Sequence, residues 1–253
     1  MPGKGLIMKL AVAQVKPYDN EVERNLQTHY KFVMQASDNG ADLIAFPEMS
    51  LTGYVRETAD ELAFTEDDCR LEELRKLAVH KNIIIIAGAP VRVNSELHIG
   101  SFVMFPDNKL SIYTKQYLHT GEELFFTPSF EHNPVITIGA YKVCIAICAD
   151  ITNPEHPRNA KAAGGHIYIV GIFFSKPSIE GAHGLLSSYA EEHSMTVLMS
   201  NYCGHSYGTQ AGGRSALWSD KGVLLSELDT EGEGILIADE QNGSWSVKKL
   251  HTD

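Results

Sequence analysis

Tyr141-Lys142-Val143-Cys144-Ile145-Ala146-Ile147-Cys148-Ala149-Asp150, followed by Ile151-Thr152-Asn153-Pro154-Glu155-His156-Pro157-Arg158, reads as a buried strand that runs into a turn and then a helix. β-Branched and small residues suit 141–147 to a sheet core. Asn153, Pro154 and Pro157 stop the strand and start the helix. Cys148 thus stands at a strand end, where free N–H groups can lower a thiol pKa and hold a developing oxyanion. A free cysteine is more often simply buried structure, but two further segments weigh against that reading.

The first is Leu43-Ile44-Ala45-Phe46-Pro47-Glu48-Met49-Ser50-Leu51-Thr52-Gly53-Tyr54, another short apolar strand running into a turn, with Glu48 its first ionisable group. The second is Lys109 to His119. There Leu110, Ile112 and Thr114 alternate as in a strand, and Lys115 falls on the opposite face near the end. A carboxylate, an ammonium and a thiol, each at a strand end, are the parts of a cysteine acyl-transfer site.

These segments resemble, in order and over nearly the whole chain, the motifs of the nitrilase superfamily of carbon–nitrogen hydrolases. Phe46-Pro47-Glu48 with Leu51-Thr52-Gly53-Tyr54 resembles the glutamate motif, and Tyr113-Thr114-Lys115 with Leu118 the lysine motif. Ile147-Cys148-Ala149-Asp150 with Asn153-Pro154-Glu155 and Arg158 resembles the nucleophile motif. Tyr189 to His193, Ser200 to Gly204, and Gly213-Arg214-Ser215 before Asp220-Lys221-Gly222 match the later helix, strand end and hairpin. The resemblance implies an α/β fold, a four-layer α-β-β-α sandwich, with Cys148 as nucleophile, Glu48 as general base and Lys115 stabilising the oxyanion beside the Ala149 N–H. It implies hydrolysis of a small-molecule amide through a thioester, without cofactor, in a homodimer paired through helices such as 185–193. Within Gly121-Glu122-Glu123, the family's spacing to Pro128 favours Glu122 over Glu123 as the brace for the lysine.

Three positions depart from the family: Gln116-Tyr117 after the lysine, Ala149 after the cysteine and Asn153 before Pro154. They flank the pocket and bear on substrate rather than chemistry. Ala149, where nitrilases carry an aromatic residue, and the short chain favour amides over nitriles. An N-carbamoyl hydrolase, a nitrilase and a catalytically silent scaffold are the alternatives. No Gly-x-Ser-x-Gly elbow or full dinucleotide-binding glycine fingerprint is present. Tyr54, Phe125, Phe126, Phe173 and Phe174 are candidate pocket walls, and His156 and Arg158 are candidates for a substrate carboxylate or simply a helix start.

The 253 residues suit one domain, 1–253, whose residues 1–8 are expected to form a flexible leader. A net charge of −11 argues against a nucleic-acid surface. The longest apolar runs are less than half of the roughly 20 residues a membrane span needs. Four scattered cysteines suggest a reducing, cytoplasmic setting, and no compact Cys/His set suggests a metal. Cys144 and Cys148, four apart, are expected on one face of their strand.

Strands are expected at 9–15, 41–46, 83–86, through 91–115 with a turn at 106–108, and at 141–147, 166–170 and 195–200. Helices are expected from Asn20-Glu23, a capping-box-like start with a Val22, Leu26, Tyr30, Val33 stripe, and over 67–80, from about 155 and from about 179. Residues 204–249 read as hairpins.

Overall fold

The computed structural model describes residues 8–252. The expected leader lies outside the described residues except for Met8, which is buried and begins the first strand. Along the chain come β1 (Met8–Gln14), α1 (Val22–Asp38), β2 (Leu43–Ala45), α2 (Ala59–Leu62) and α3 (Glu72–Lys81). Next are β3 (Ile84–Val93), β4 (Glu96–Met104), β5 (Leu110–Thr114), β6 (Ile136–Ile138) and β7 (Tyr141–Ile147). Then follow α4 (Glu155–Ala162), β8 (Ile167–Gly171), α5 (Ile179–His193) and β9 (Thr196–Ser200). The chain closes with β10 (His205–Ser206), β11 (Thr209–Gln210), β12 (Ala216–Trp218), β13 (Leu224–Glu227), β14 (Gly234–Gln241) and β15 (Ser244–His251).

One sheet has the order β15-β14-β1-β2-β3-β4-β5 and the other β13-β12-β9-β8-β7-β6. β1, β2 and β3 run parallel, as do β7, β8 and β9. Strands buried on both faces need apolar residues at every position, which is why these runs do not alternate. β7 exposes the layering. Val143, Ile145 and Ile147 join the core shared with the first sheet, whereas Cys144 and Ala146 join a separate core with Ala160, Ala182 and Leu186 of α4 and α5. Phe32 and Val33 of α1 and Leu74 and Ala78 of α3 cover the first sheet. The result is the four-layer α-β-β-α sandwich.

Several local expectations give way. Cys144 and Cys148 do not share a face. The strand ends at Ile147, and Cys148, at φ 45°, turns its side chain out of the helix-side core and into the inter-sheet core. Asn20 forms no capping box: at φ 67° it accepts a hydrogen bond from Thr58 instead, and α1 starts at Val22 without a side-chain cap. The buried stripe of α1 is Asn25, Leu26, His29, Phe32, Val33 and Ala36, so Val22 and Tyr30 only flank it. The 91–115 stretch contains a second hairpin at Asn94-Ser95, whose positive φ values of 49° and 72° fit a two-residue primed turn. The expected 67–80 helix begins as a 3₁₀ turn at Cys69–Leu71.

The C-terminal hairpins divide between the sheets. β12 and β13 extend the second sheet, whereas β14 returns to pair with β1 of the first, burying Ile235 to Ala238. The apolar side of α5 packs within its own subunit. Leu186, Tyr189 and Ala190 are buried in the subunit, Tyr189 Oη donates to the Ile151 carbonyl at 3.0 Å, and solvent meets Glu180, Gly181, Gly184, Ser188, Glu191 and Glu192. Among the described residues no helix is long and apolar enough to cross a membrane.

Candidate active site

The three strand ends singled out in the sequence meet at one edge of the seam between the sheets. Glu48 follows β2 on a turn whose next residue, Met49, has φ 51°. This turn is wedged between glycines of both sheets. A Cβ on Gly88 of β3 would lie 2.5 Å from the Pro47 carbonyl and the Met49 nitrogen, and one on Gly171 of β8 would lie 2.8 Å from the Phe46 carbonyl. Tyr202, just past β9, donates to the Glu48 carbonyl at 2.7 Å. His29 of α1 stacks on Phe46 and contacts Ser50 Oγ at 2.9 Å, and Ser50 Oγ accepts from the Gly88 N–H at 3.1 Å. Burial lowers the His29 pKa to about 4, so this prop is neutral.

Lys115 follows the last residue of β5, and its side chain has no exposed surface. Its Nζ donates to Glu48 Oε1 at 2.6 Å and to Glu122 Oε1 and Oε2 at 2.9 and 2.8 Å. Glu122 also accepts from Tyr54 Oη at 2.6 Å and from the His119 N–H at 2.7 Å. Glu123 is exposed and accepts from the Gly121 N–H. Glu122 therefore ties Lys115, Tyr54 and the loop after β5 into one buried network.

Asp150 fixes the Cys148 turn. Its Oδ2 accepts from the Ile147 N–H at 2.8 Å and from Tyr113 Oη at 2.6 Å. Its Oδ1 accepts from the N–H groups of Gln116 and Tyr117 at 3.0 and 2.9 Å, the two residues after Lys115. One carboxylate thus joins the thiol turn to the end of the lysine strand. His156 lies behind it, between Tyr113 Oη at 2.8 Å and Tyr168 Oη at 2.7 Å. It is buried away from the pocket, and Arg158 is exposed and pairs with Glu155, so neither is placed to bind substrate.

Burial raises the Glu48 pKa to about 7; Lys115 opposes the rise and Glu122 adds to it. Glu48 Oε2 is buried and makes no hydrogen bond among the described residues, although the Cys148 thiol is close enough to affect the carboxylate's ionisation. Burial alone would lower the Lys115 pKa, but Glu48, Cys148 and Glu122 outweigh it and hold the ammonium charged. The thiol departs from expectation. Burial, then the Glu48 charge, lift its pKa well above the ordinary value, with Lys115 opposing, so the turn does not by itself produce a thiolate.

A cavity of about 240 Å³ opens over Cys148 and Glu48. Tyr54, Phe173 and Phe174 line it as expected, whereas Phe126 is buried elsewhere and Phe125 is not in the wall. Asn201 holds the Phe174 segment by accepting from its N–H at 3.1 Å and donating to its carbonyl at 3.2 Å. Arg56, His119, Ser178, Tyr207 and Thr209 also line the cavity and were not foreseen. All but Thr209 of β11 come from outside the strands and helices, and only the nearness of Arg56 to the Gly53-Tyr54 motif could have singled one out.

The carbon–nitrogen hydrolase family matches residues 9–247. The chain is 26% identical to a nitrilase of Pyrococcus abyssi over 92% of this chain and 89% of that protein. It is 26% identical to the 2-oxoglutaramate amidase of Bacillus subtilis over 83% of this chain and 82% of that one. An amidase from Nesterenkonia sp. superposes with a TM-score of 0.82 at 26% identity, covering 94% of this chain and 92% of that one. With a match spanning both sheets and every strand end that meets at the cavity, this chain is a hydrolase belonging to the carbon–nitrogen hydrolase family.

Proposed function

We propose that the protein hydrolyses a small linear amide through a thioester on Cys148. The observation that carries this reading is the Glu48 carboxylate: Oε1 is held by Lys115, while the buried Oε2 is left to the neighbouring thiol. A carboxylate whose charged form is disfavoured by burial is a stronger base than one in water. Ionised Glu48 takes the thiol proton as sulfur attacks the amide carbon, so a neutral resting thiol is compatible with the chemistry. The carbonyl oxygen becomes an oxyanion held by Lys115 and the Ala149 N–H, donors whose removal typically costs about 3–4 kcal/mol of barrier. Glu48 returns the proton to nitrogen, the C–N bond breaks and ammonia or an amine leaves. Glu48 then takes a proton from water, which attacks the thioester and releases the acid and the thiol.

Amides are preferred over nitriles in this reading. A nitrile passes through a thioimidate and needs proton donation to nitrogen, whereas charge on an amide builds on oxygen, where Lys115 can meet it. Ala149 in place of an aromatic residue, and the solved complex of a mutant Nesterenkonia amidase with butyramide, support the same side. The four free cysteines fit a reducing, cytoplasmic setting.

The test is ammonia release from butyramide and butyronitrile, with intact-mass analysis for an acyl adduct that disappears in Cys148→Ala. Faster turnover of the nitrile, or turnover surviving in Cys148→Ala, would overturn the reading.

A further inference from the structure

Arg56 is a cation in the pocket wall that the proposed chemistry does not use. Its Nε and Nη2 donate to Tyr54 Oη at 3.1 and 2.8 Å, and its guanidinium carbon lies 5.2 and 5.3 Å from the Tyr54 and Tyr207 ring centroids. A Cβ on Gly121 would come within 2.9 Å of Nη1, and Gly121 has φ 90°, so a glycine makes room for the head group. Two rings and a glycine seat this arginine, not a carboxylate.

That distinguishes it from Arg24, Arg70, Arg92, Arg158 and Arg214, each of which has an acidic partner. Among the described residues no carboxylate lies within 4.0 Å of Arg56. The neighbouring acids are engaged: Glu122 with Lys115, Tyr54 and His119, and Glu57 with the Tyr207 hydroxyl at 2.6 Å. Among the described residues that line the pocket, Arg56 is the only permanent cation. A planar, partly desolvated guanidinium with donors left over matches a carboxylate better than any neutral group. The chain carries −11 overall and repels anions at long range, so an attraction for one has to be local.

We propose that Arg56 recognises an anionic group at the far end of the substrate, so that the preferred substrates are half-amides of short dicarboxylic acids. The proposal rests on the amidase reading for the reacting end. Phe173 and Phe174 cover the methylene segment between the amide at Cys148 and the carboxylate at Arg56, and Ser178 and Thr209 offer hydroxyls to the same pocket. A cationic or bulky neutral chain loses the contact and leaves Arg56 desolvated without a partner.

Two matched pairs test this: succinamate against butyramide, and glutaramate against valeramide. In the wild type kcat/KM should favour the anionic member of at least one pair by roughly 10- to 100-fold, the range for a hydrogen bond to a charged group. Arg56→Gln should collapse the ratio, mainly through KM, and Arg56→Lys should restore part of it. A merely structural arginine would lower both members of a pair equally. Calorimetry on Cys148→Ala reads the same preference without turnover.

Butyramide turned over at Cys148 with no anion preference would overturn this inference and leave the amidase reading standing. No acylation of Cys148 by any of the four amides, with succinamate still bound more tightly than butyramide, would do the reverse. A preference that survives Arg56→Gln, or no binding of either anionic amide to Cys148→Ala, overturns the assignment of Arg56.

Discussion

Nζ of Lys115 lies 2.6 Å from Oε1 of Glu48, and neither side chain has any exposed surface. The same ammonium also holds Glu122, so two buried carboxylates share one cation. Glu48 is the carboxyl pushed up, to about 7. Burial is the main cause of the rise, which Lys115 and the neighbouring Cys148 thiol only partly offset.

This sets the pH dependence. Protonated Glu48 cannot take the thiol proton, so kcat/KM for butyramide should rise through one ionisation near pH 7. It should then stay level into the alkaline range, because Lys115 and Cys148 are both shifted upward. The stability effect has the opposite sense. A carboxyl whose folded pKa is raised from 4.5 to about 7 favours the fold fully below the lower value, and that contribution is lost as pH climbs through the higher one. A rate limb centred near the ordinary carboxyl range would contradict a desolvated Glu48.

Glu48→Gln and Lys115→Ala should each lower kcat at least ~10²-fold, because each removes a group acting in the transition state. Glu48→Gln should keep its far-ultraviolet dichroism, since Lys115 still has Glu122. Near-wild-type kcat in either variant would refute the three-residue mechanism.

Glu122→Ala should be destabilised by about 3–5 kcal/mol in urea unfolding, the usual cost of removing one partner from a buried ion pair. Lys115, Tyr54 and the His119 N–H would lose their acceptor together. Glu123→Ala, at an exposed site, should stay within about 0.5 kcal/mol of wild type. Equal effects from the two would remove the special standing of Glu122.

Asp150→Asn should cost stability and turnover together. The amide can keep one acceptor, but its NH₂ then faces either the Ile147 N–H and Tyr113 hydroxyl or the Gln116 and Tyr117 N–H groups. An unmade buried hydrogen bond costs about 1–3 kcal/mol. If turnover falls by displacement of Cys148 and Lys115, iodoacetamide should alkylate Cys148 at an altered rate while exposed Cys69 reacts as before.

Strand ends were legible in the sequence because their signals are local. The runs before Glu48 and Cys148, and the alternation before Lys115, fix where each strand stops, and the structure brings the three together. The way the layers close was not legible, because the return of β14 to β1 is a pairing between residues more than two hundred positions apart. The side on which Cys148 emerges depends on one backbone torsion, which composition does not encode. Asp150 looked like part of a motif, but its role as a four-bond tie needs the tertiary position of Gln116 and Tyr117. Arg56 and Tyr207 reach the pocket on loops, where neither periodicity nor propensity predicts direction.

The φ of 45° at Cys148 places opposing selective pressures on a single codon. A left-handed conformation costs a residue with a Cβ roughly 1–2 kcal/mol, and glycine carries no such cost. Selection for a sturdier protein would therefore favour glycine at 148, and under the proposed function the demand for a thiol opposes it. A lineage that no longer needs the hydrolysis should lose this cysteine early, and glycine is the replacement that firms up the fold. Glycine at this position, in a descendant that keeps Gly88 and Gly171, would mark an enzyme retired from catalysis but retained for its shape.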